Sequence, residues 1–234
     1  EAAVLDIVHI ESLKNKANIA LNLYKEKSGK LRFKLYHPGS PLPLSDILPV
    51  LENFGLKVIE EIPYRLSVGN SEHLVWIHDF GLAVRSGVFV DIAKVKPLFE
   101  NALHGVLKGE MESDGFNKLI IAARLNWHQI FLLRGYCKYL LQISIPYSQS
   151  YLENTLERHA DITLSIVKLF ELKFDPKLQK ISTKKFNQQF KLIVKALNAV
   201  PSLDEDRIFR KYVNLVRATL RTNYFQNYDD GSPK

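Results

Sequence analysis

The chain has 234 residues, of which 46% are hydrophobic and 24% are charged, a composition typical of soluble globular proteins that excludes global disorder. No apolar run approaches the ~18 residues of a membrane-spanning helix, and residues 1–10 lack the basic start of a secretory signal, so we expect a cytoplasmic protein that binds no membrane. The formal charge is +7, but the 32 basic side chains are interleaved with 25 acidic ones and form no stripe, which argues against nucleic-acid binding.

Residues 1–16 precede the first alternating pattern, and we interpret them as a lead-in helix. Apolar residues then alternate with polar ones in 19–24 and again in 31–36, a pattern typical of strands half buried in a sheet. The polar connection between the two runs contains Gly29 and suits a short turn. These residues predict a β-hairpin.

A stretch rich in proline, residues 38–43, follows the hairpin and precedes a helix whose apolar residues recur at i, i+3, i+4 and i+7 from Ile47. Ser45 and Asp46 are the candidate caps at the start of this helix. Gly55 lies where a left-handed C-terminal cap is expected.

Two further strands, 56–64 and 73–82 with a turn at 69–71, and a second helix that starts near Pro97 complete the first half. A right-handed crossover from the second strand to the third leaves a gap that the antiparallel fourth strand fills, which gives the order 1-2-4-3. We therefore predict a ferredoxin-like α/β sandwich with permuted strand order, an ACT-like domain, over residues 17–112.

The second half of the chain shows helical spacing throughout, which predicts an all-α domain over residues 113–228 and makes the chain α+β. Capping-box sequences open two of its helices, at 126–129 and 202–205. The polar end, 229–234, is expected to be a disordered tail. Apolar stripes lie within 116–123, 130–141, 162–174, 186–197 and 209–220.

Residues that could carry chemistry have simpler explanations. His78 and Asp79 are adjacent in a strand, so their side chains point to opposite faces and cannot form a catalytic pair. His159 and Asp161 lie at a helix junction, where Asp161 as an N-cap explains both. Cys137, the single cysteine, has no His or Cys at metal-ligand spacing and is expected to be buried. We predict no catalytic residue and no metal site.

One loop is a candidate binding site. Backbone N–H groups at the start of a helix can bind a carboxylate or phosphate, and an effector loop at the first helix of the sandwich would consist of Gly39, Ser40, Ser45 and Asp46. The alternative is that the prolines only rigidify a turn. No glycine-rich dinucleotide fingerprint and no phosphate loop is present in the sequence, so this chain is not expected to bind NAD by itself.

Several long runs resemble the segment just ahead of the catalytic domain in the large bacterial NAD-dependent glutamate dehydrogenases; they are 31–55, 75–82, 126–129, 151–159, 204–207 and 217–226. The resemblance implies a fragment of an enzyme that deaminates L-glutamate to 2-oxoglutarate with NAD. It also implies that the catalytic residues and the NAD site follow the end of this sequence. The only methionine, Met111, is internal, which fits a fragment.

Two roles are open for such a segment. It could position the catalytic domain and support assembly, with the rest of the polypeptide and the other subunits of a homo-oligomer as its partners. Alternatively, the ACT-like half could sense an amino acid and regulate the enzyme, which requires two coupled sites.

Overall fold

A computed structural model of the chain describes residues 2–14, 19–67, 74–85, 87, 90–178 and 182–226. The chain forms two compact units, residues 1–121 and 122–234. The predicted turn at 69–71 and the predicted tail at 229–234 lie outside the described residues. Within the part of the chain that is described, no helix is both long and apolar enough to cross a membrane.

The first unit contains a four-stranded sheet with helices. Its elements are α1 (Ala2–Lys14), β1 (Ala20–Lys25), β2 (Leu31–Pro38), α2 (Leu44–Asn53), β3 (Leu56–Ser67), β4 (Leu74–Val84), α3 (Ile92–Leu107), a 3-10 turn (Gly115–Lys118) and the short α4 (Leu119–Ala122), which reaches the boundary of the unit. The sheet order is β1-β2-β4-β3 and each neighbouring pair is antiparallel. The predicted order 1-2-4-3 is therefore confirmed.

The core of this unit is aromatic. Phe33 of β2 lies opposite Phe80 of β4 in the sheet register, and both side chains are fully buried. Phe99 of α3 contacts Phe33 edge-on at 5.4 Å and Phe54 at 5.1 Å between ring centroids. Rings in this edge-to-face geometry contribute about 0.5–1.5 kcal/mol beyond their buried area. The alternation in the strands thus places one face of the sheet against α2 and α3.

The opposite face of the sheet contacts α1. Leu13 of α1 is buried in a small apolar cluster with Tyr36 of β2 and with Val75 and Ile77 of β4. The lead-in helix predicted from the sequence is present at Ala2–Lys14.

The start of α2 differs from the prediction. The helix begins at Leu44 with Pro43 in the N-cap position, so Ser45 and Asp46 lie inside the first turn and neither is the cap. Proline suits this place because its fixed φ fits the helix start and its missing N–H is not needed there. Gly55 has a φ of +77° and follows the helix as predicted.

The start of α3 also differs. The helix begins at Ile92 after Asp91, and Pro97 lies within it rather than near its start. A proline inside a helix removes one i to i−4 hydrogen bond, and the burial of Val95, Phe99 and Leu103 supports the helix on both sides of the proline.

The second unit is helical in its described residues. It contains α5 (Trp127–Gln142), α6 (Gln149–Arg158), α7 (Ala160–Phe174), α8 (Ser182–Leu197) and α9 (Leu203–Ala218). The capping box at the start of α5 is confirmed, with Gln129 N–H donating to Asn126 Oδ1 at 2.9 Å and Asn126 N–H to Gln129 Oε1 at 3.0 Å.

Three details in the half of the chain predicted to be helical correct the sequence interpretation. The residue at the N-cap position of α7 is His159, and Asp161 lies in the first turn. The stripe predicted over 116–123 is divided between a 3-10 turn and the short α4, before Arg124, which has a φ of +55°. Leu220 lies beyond the end of α9 and is 88% exposed, so the last apolar stripe is shorter than predicted.

Candidate functional site

The predicted effector loop is exposed, and its polar groups bond within the loop and to the sheet. Gly39 has a φ of +91°, and its N–H donates to a carbonyl of β4 at 2.9 Å. His37 Nδ1 lies 3.1 Å from the carbonyl oxygen of Ser40, and Ser45 Oγ donates to Asp46 Oδ1 at 3.1 Å. Asp46 places a negative charge in the first turn of α2, where it opposes an incoming anion. Ligand binding by these residues stays a prediction.

His78 anchors this loop to the sheet. The side chain is buried between Trp76 and Phe80, with ring centroids at 6.3 and 6.2 Å. Its Nε2 accepts from Leu42 N–H at 3.4 Å, so the proton lies on Nδ1, which is 2.9 Å from Glu61 Oε1. The neighbouring aspartate lies on the other face and bonds an arginine of β2. This histidine therefore supports structure.

The end of α9 is held by polar groups from α5 and α7. Lys173 Nζ of α7 donates to the carbonyl oxygens of Val216 at 3.0 Å, Arg217 at 2.7 Å and Thr219 at 2.6 Å. The last carbonyls of a helix have no intrahelical donor, and the ammonium supplies one. Burial, with the nearby Arg217 guanidinium, lowers the pKa of Lys173. Tyr136 of α5 adds a hydroxyl contact to Thr219 Oγ1 at 2.8 Å.

Aromatic side chains hold the segment that follows α9. Tyr224 stacks on His128 with ring centroids 3.9 Å apart and an interplanar angle of 6°. Phe170 of α7 contacts Tyr224 edge-on at 5.1 Å and Phe225 at 6.4 Å. Burial lowers the pKa of His128 and raises that of Tyr224, so both rings favour their neutral forms. We call residues 219–226 the exit segment.

The start of α9 is held by a buried carboxylate. Glu205 is 3% exposed and accepts hydrogen bonds from Arg158 Nη1 and, at 2.8 Å, from His159 Nε2. Its own N–H donates to Ser202 Oγ at 3.4 Å, so half of the predicted capping box forms while the carboxylate binds the junction between α6 and α7. The His159 ring also packs edge-on against Phe209 at 5.5 Å.

The middle of α9 is buried as well. Tyr212 is 0% exposed, and its hydroxyl donates to the carbonyl oxygen of Leu133 at 3.5 Å. Burial raises the pKa of Tyr212 well above its usual value. Cys137 is fully buried, as predicted. From its start to its end, α9 is therefore fixed against α5, α6 and α7.

The sequence interpretation did not identify Lys173, Tyr136 and Phe170 as the side chains that hold the end of α9 and the exit segment. In the described residues no group of three or more His, Cys, Asp or Glu side chains could hold a metal ion. The arrangement in the helical unit can position a chain segment, and the contacts described for it do not assemble a nucleophile, a base and an oxyanion donor.

Three family models match successive parts of the chain. "Glutamate dehydrogenase, ACT3 domain" matches residues 18–95, "Glutamate dehydrogenase, helical motif 3" matches 111–176, and "Bacterial NAD-glutamate dehydrogenase, catalytic domain" matches 192–234. The side chains that hold α9 and the exit segment lie in the second range, and α9 itself lies in the third. The contacts thus join a helical motif to a segment matched by a catalytic-domain model.

Curated relatives match nearly the whole chain. NAD-specific glutamate dehydrogenases from Halomonas elongata and Pseudomonas aeruginosa are 40% and 38% identical over 99% of this chain. The one from Mycobacterium tuberculosis is 36% identical over 95% of it. The chain spans 14–15% of the length of these relatives.

Proposed function

The chain belongs to the family of NAD-specific glutamate dehydrogenases, and we propose that it is a non-catalytic segment whose helical unit positions the start of the catalytic domain. The whole enzyme would convert L-glutamate, NAD and water to 2-oxoglutarate, ammonium and NADH. It would work in the cytoplasm as a homo-oligomer. The rest of the polypeptide and the other subunits would be the partners of this segment.

The main support for the proposal is the set of hydrogen bonds from Lys173 to the end of α9. One ammonium donates to three carbonyls between residues 216 and 219, and the rings of His128 and Phe170 enclose Tyr224 a few residues later. Both sets of contacts fix the direction in which the chain leaves α9. A scaffold that positions a catalytic domain needs such a rigid connection, because a displacement of ~1 Å near a reaction centre can cost ~100-fold in rate.

The test uses the full-length enzyme that carries this segment, with Lys173→Met beside the control Lys168→Met. Lys168 is an exposed residue of the same helix. We expect Lys173→Met to lower kcat at least tenfold while light scattering shows an unchanged oligomer, and the control to keep the parent kcat. Equal kcat values for the two variants would contradict the positioning role.

A second measurement tests the non-catalytic part of the proposal. The 234-residue chain is expected to produce no NADH from glutamate and NAD, because its sequence has no phosphate-cradling glycine loop. A titration followed by NADH fluorescence should show no saturable binding. Cofactor binding together with turnover, absent from a heat-unfolded sample, would place chemistry inside this segment.

Amino-acid sensing by the predicted effector loop is the second candidate function. Gly39, Ser40, Ser45 and Asp46 are all exposed, so a ligand could reach them, although Asp46 opposes anions. Calorimetry of the chain against a panel of amino acids tests this function, and a flat response to every amino acid would exclude it.

A further inference from the structure

The sheet face that contacts α1 carries a carboxylate held by two donors of β2. Lys34 Nζ donates to both oxygens of Asp6 of α1, at 2.9 and 2.7 Å. Tyr36 OH donates to Asp6 Oδ1 at 2.5 Å. Lys34 and Tyr36 are two residues apart in one strand, so their side chains lie side by side on this face. The pair presents an ammonium and a hydroxyl to a single carboxylate.

Three other carboxylates in the described part of this face pair with a different cation. Arg32 Nε lies 2.9 Å from Asp79 Oδ1 and 3.6 Å from Glu26 Oε1, and Arg32 Nη1 lies 2.6 Å from Glu60 Oε1. The Lys34 side chain, which is 11% exposed, forms its ion pair with Asp6. A largely buried ammonium requires an anionic partner, and for Lys34 that partner comes from α1.

Apolar contacts hold α1 along one side only, through Leu13, the partly buried Ile10 and the His9 ring, which stacks on Tyr36 with ring centroids 5.0 Å apart. Among its described side chains, 4–13, Leu13 is buried, while Val4, Leu5, Ile7 and Val8 are each more than half exposed. A side chain that stays exposed contributes little of the ~1.5–3 kcal/mol that full burial of such a residue gives. The carboxylate of Asp6 therefore adds a polar attachment between the helix and the sheet.

We propose that Lys34 and Tyr36 form a carboxylate-binding site on the sheet, which Asp6 occupies as an internal ligand that a small carboxylate metabolite can displace. An ammonium with a phenol hydroxyl suits a carboxylate, since the lysine can only donate. A tethered group competes at an effective concentration on the order of millimolar, so a free carboxylate in that range can exchange with Asp6. The site is independent of the role proposed for the helical unit.

Calorimetric titration of the 234-residue chain with glutarate tests the site. The substitution Asp6→Ala removes the internal carboxylate from the site, and alanine at this position favours the helical conformation of α1. We expect this variant to bind glutarate with a Kd at least tenfold lower than that of the parent chain. Glu11→Ala, which removes an exposed carboxylate of the same helix, is the matched control and should behave as the parent chain. L-glutamate tests whether an amino group is tolerated, and the neutral diamide glutaramide should not bind.

Two double variants locate the binding. Asp6→Ala with Lys34→Gln should lose glutarate binding, and Asp6→Ala with Tyr36→Phe should bind it more weakly than Asp6→Ala alone. In the parent chain, saturating glutarate should accelerate amide exchange in α1, because the helix loses the polar attachment made by Asp6. The proposal is overturned if Asp6→Ala shows no saturable binding of glutarate or L-glutamate, or if binding survives Lys34→Gln unchanged. Release of α1 by Asp6→Ala does not weaken the test, since the emptied site is then more accessible.

Discussion

Replacing Lys173 with methionine removes three hydrogen bonds and keeps most of the side-chain volume. The Lys173 ammonium reaches the carbonyls of Val216, Arg217 and Thr219 and lies 5.0 Å from the centroid of the Phe174 ring. Methionine has a similar length but no donor. The change therefore tests the hydrogen bonds with little change in packing.

The expected loss is about 2 kcal/mol. A hydrogen bond from a charged group contributes ~1.5–3 kcal/mol, but water can replace the exposed bond to Arg217 and partly replace the other two, so the three contributions do not add. A cation at a helix C-terminus contributes ~0.3–1 kcal/mol more. Desolvation of the ammonium, which lowers the pKa of Lys173, opposes both. About 2 kcal/mol corresponds to a local opening constant roughly 30-fold larger.

Hydrogen exchange measured by mass spectrometry on peptides that cover 212–222 reads this opening directly. In Lys173→Met we expect these amides to exchange about 30-fold faster than in the parent chain. Lys168→Met changes an exposed lysine of the same helix and should stay within ~0.5 kcal/mol, or about twofold. If both variants exchange at the parent rate, the three hydrogen bonds do not hold the end of α9 and the positioning argument fails.

Three further predictions concern the stability of the two units. Glu205→Gln removes the charge that holds Arg158 and His159 and should lower the free energy of unfolding in urea by ~1–2 kcal/mol. Asp204→Asn, which changes an exposed carboxylate of the same turn, should lower that free energy by less than ~1 kcal/mol, and equal losses for the two variants would contradict the reasoning. Gly55→Ala should lower Tm, because it forces a side chain to a φ of +77° at a cost of about 1–2 kcal/mol. Gly135→Ala should raise Tm, because this position lies inside α5 with nothing within 4 Å of an added Cβ and alanine stabilises a helix by ~0.5–1 kcal/mol relative to glycine. Changes in Tm of the same sign for both variants would refute this reasoning. Because burial raises the folded-state pKa of Tyr212, its contribution to stability is complete below pH ~10 and is lost at higher pH. As the pH rises above ~10, Tyr212→Phe should therefore lose less stability than the parent chain. Identical alkaline unfolding profiles of the two proteins by circular dichroism would exclude ionisation of Tyr212 as a cause of alkaline unfolding.

The sheet could be predicted because its signals are local and its topology has few solutions. The hairpin from β1 to β2 follows from alternation around Gly29, and Gly55 marks the end of α2 through its backbone conformation. The order 1-2-4-3 then follows from connection rules. The box of Asn126 and Gln129 is equally local, since both partners lie within one turn.

The contacts that hold α9 could not be predicted because they depend on the packing of separate helices. Lys173 lies 43 residues before Val216, and in sequence it is an ordinary cation in the last turn of a helix. The pattern of Ser202 and Glu205 indicated a capping box, but the Glu205 carboxylate binds the junction of α6 and α7 instead of the cap. The carboxylate of Glu205 therefore bonds to Arg158 and His159 and not to the backbone N–H of Ser202.

The edge position of β3 bears on whether the chain can be handled alone in solution. In the described part of the sheet, β3 pairs with β4 on one side only, and an edge strand is a template for aggregation. Pro63 lacks a backbone N–H and so limits the pairing of this strand, but Ile59, Ile62, Tyr64 and Leu66 of β3 are each more than a third exposed. The twelve residues of β3 therefore combine a one-sided edge with exposed apolar side chains, so light scattering at the concentration used for calorimetry should be recorded to detect edge-to-edge association.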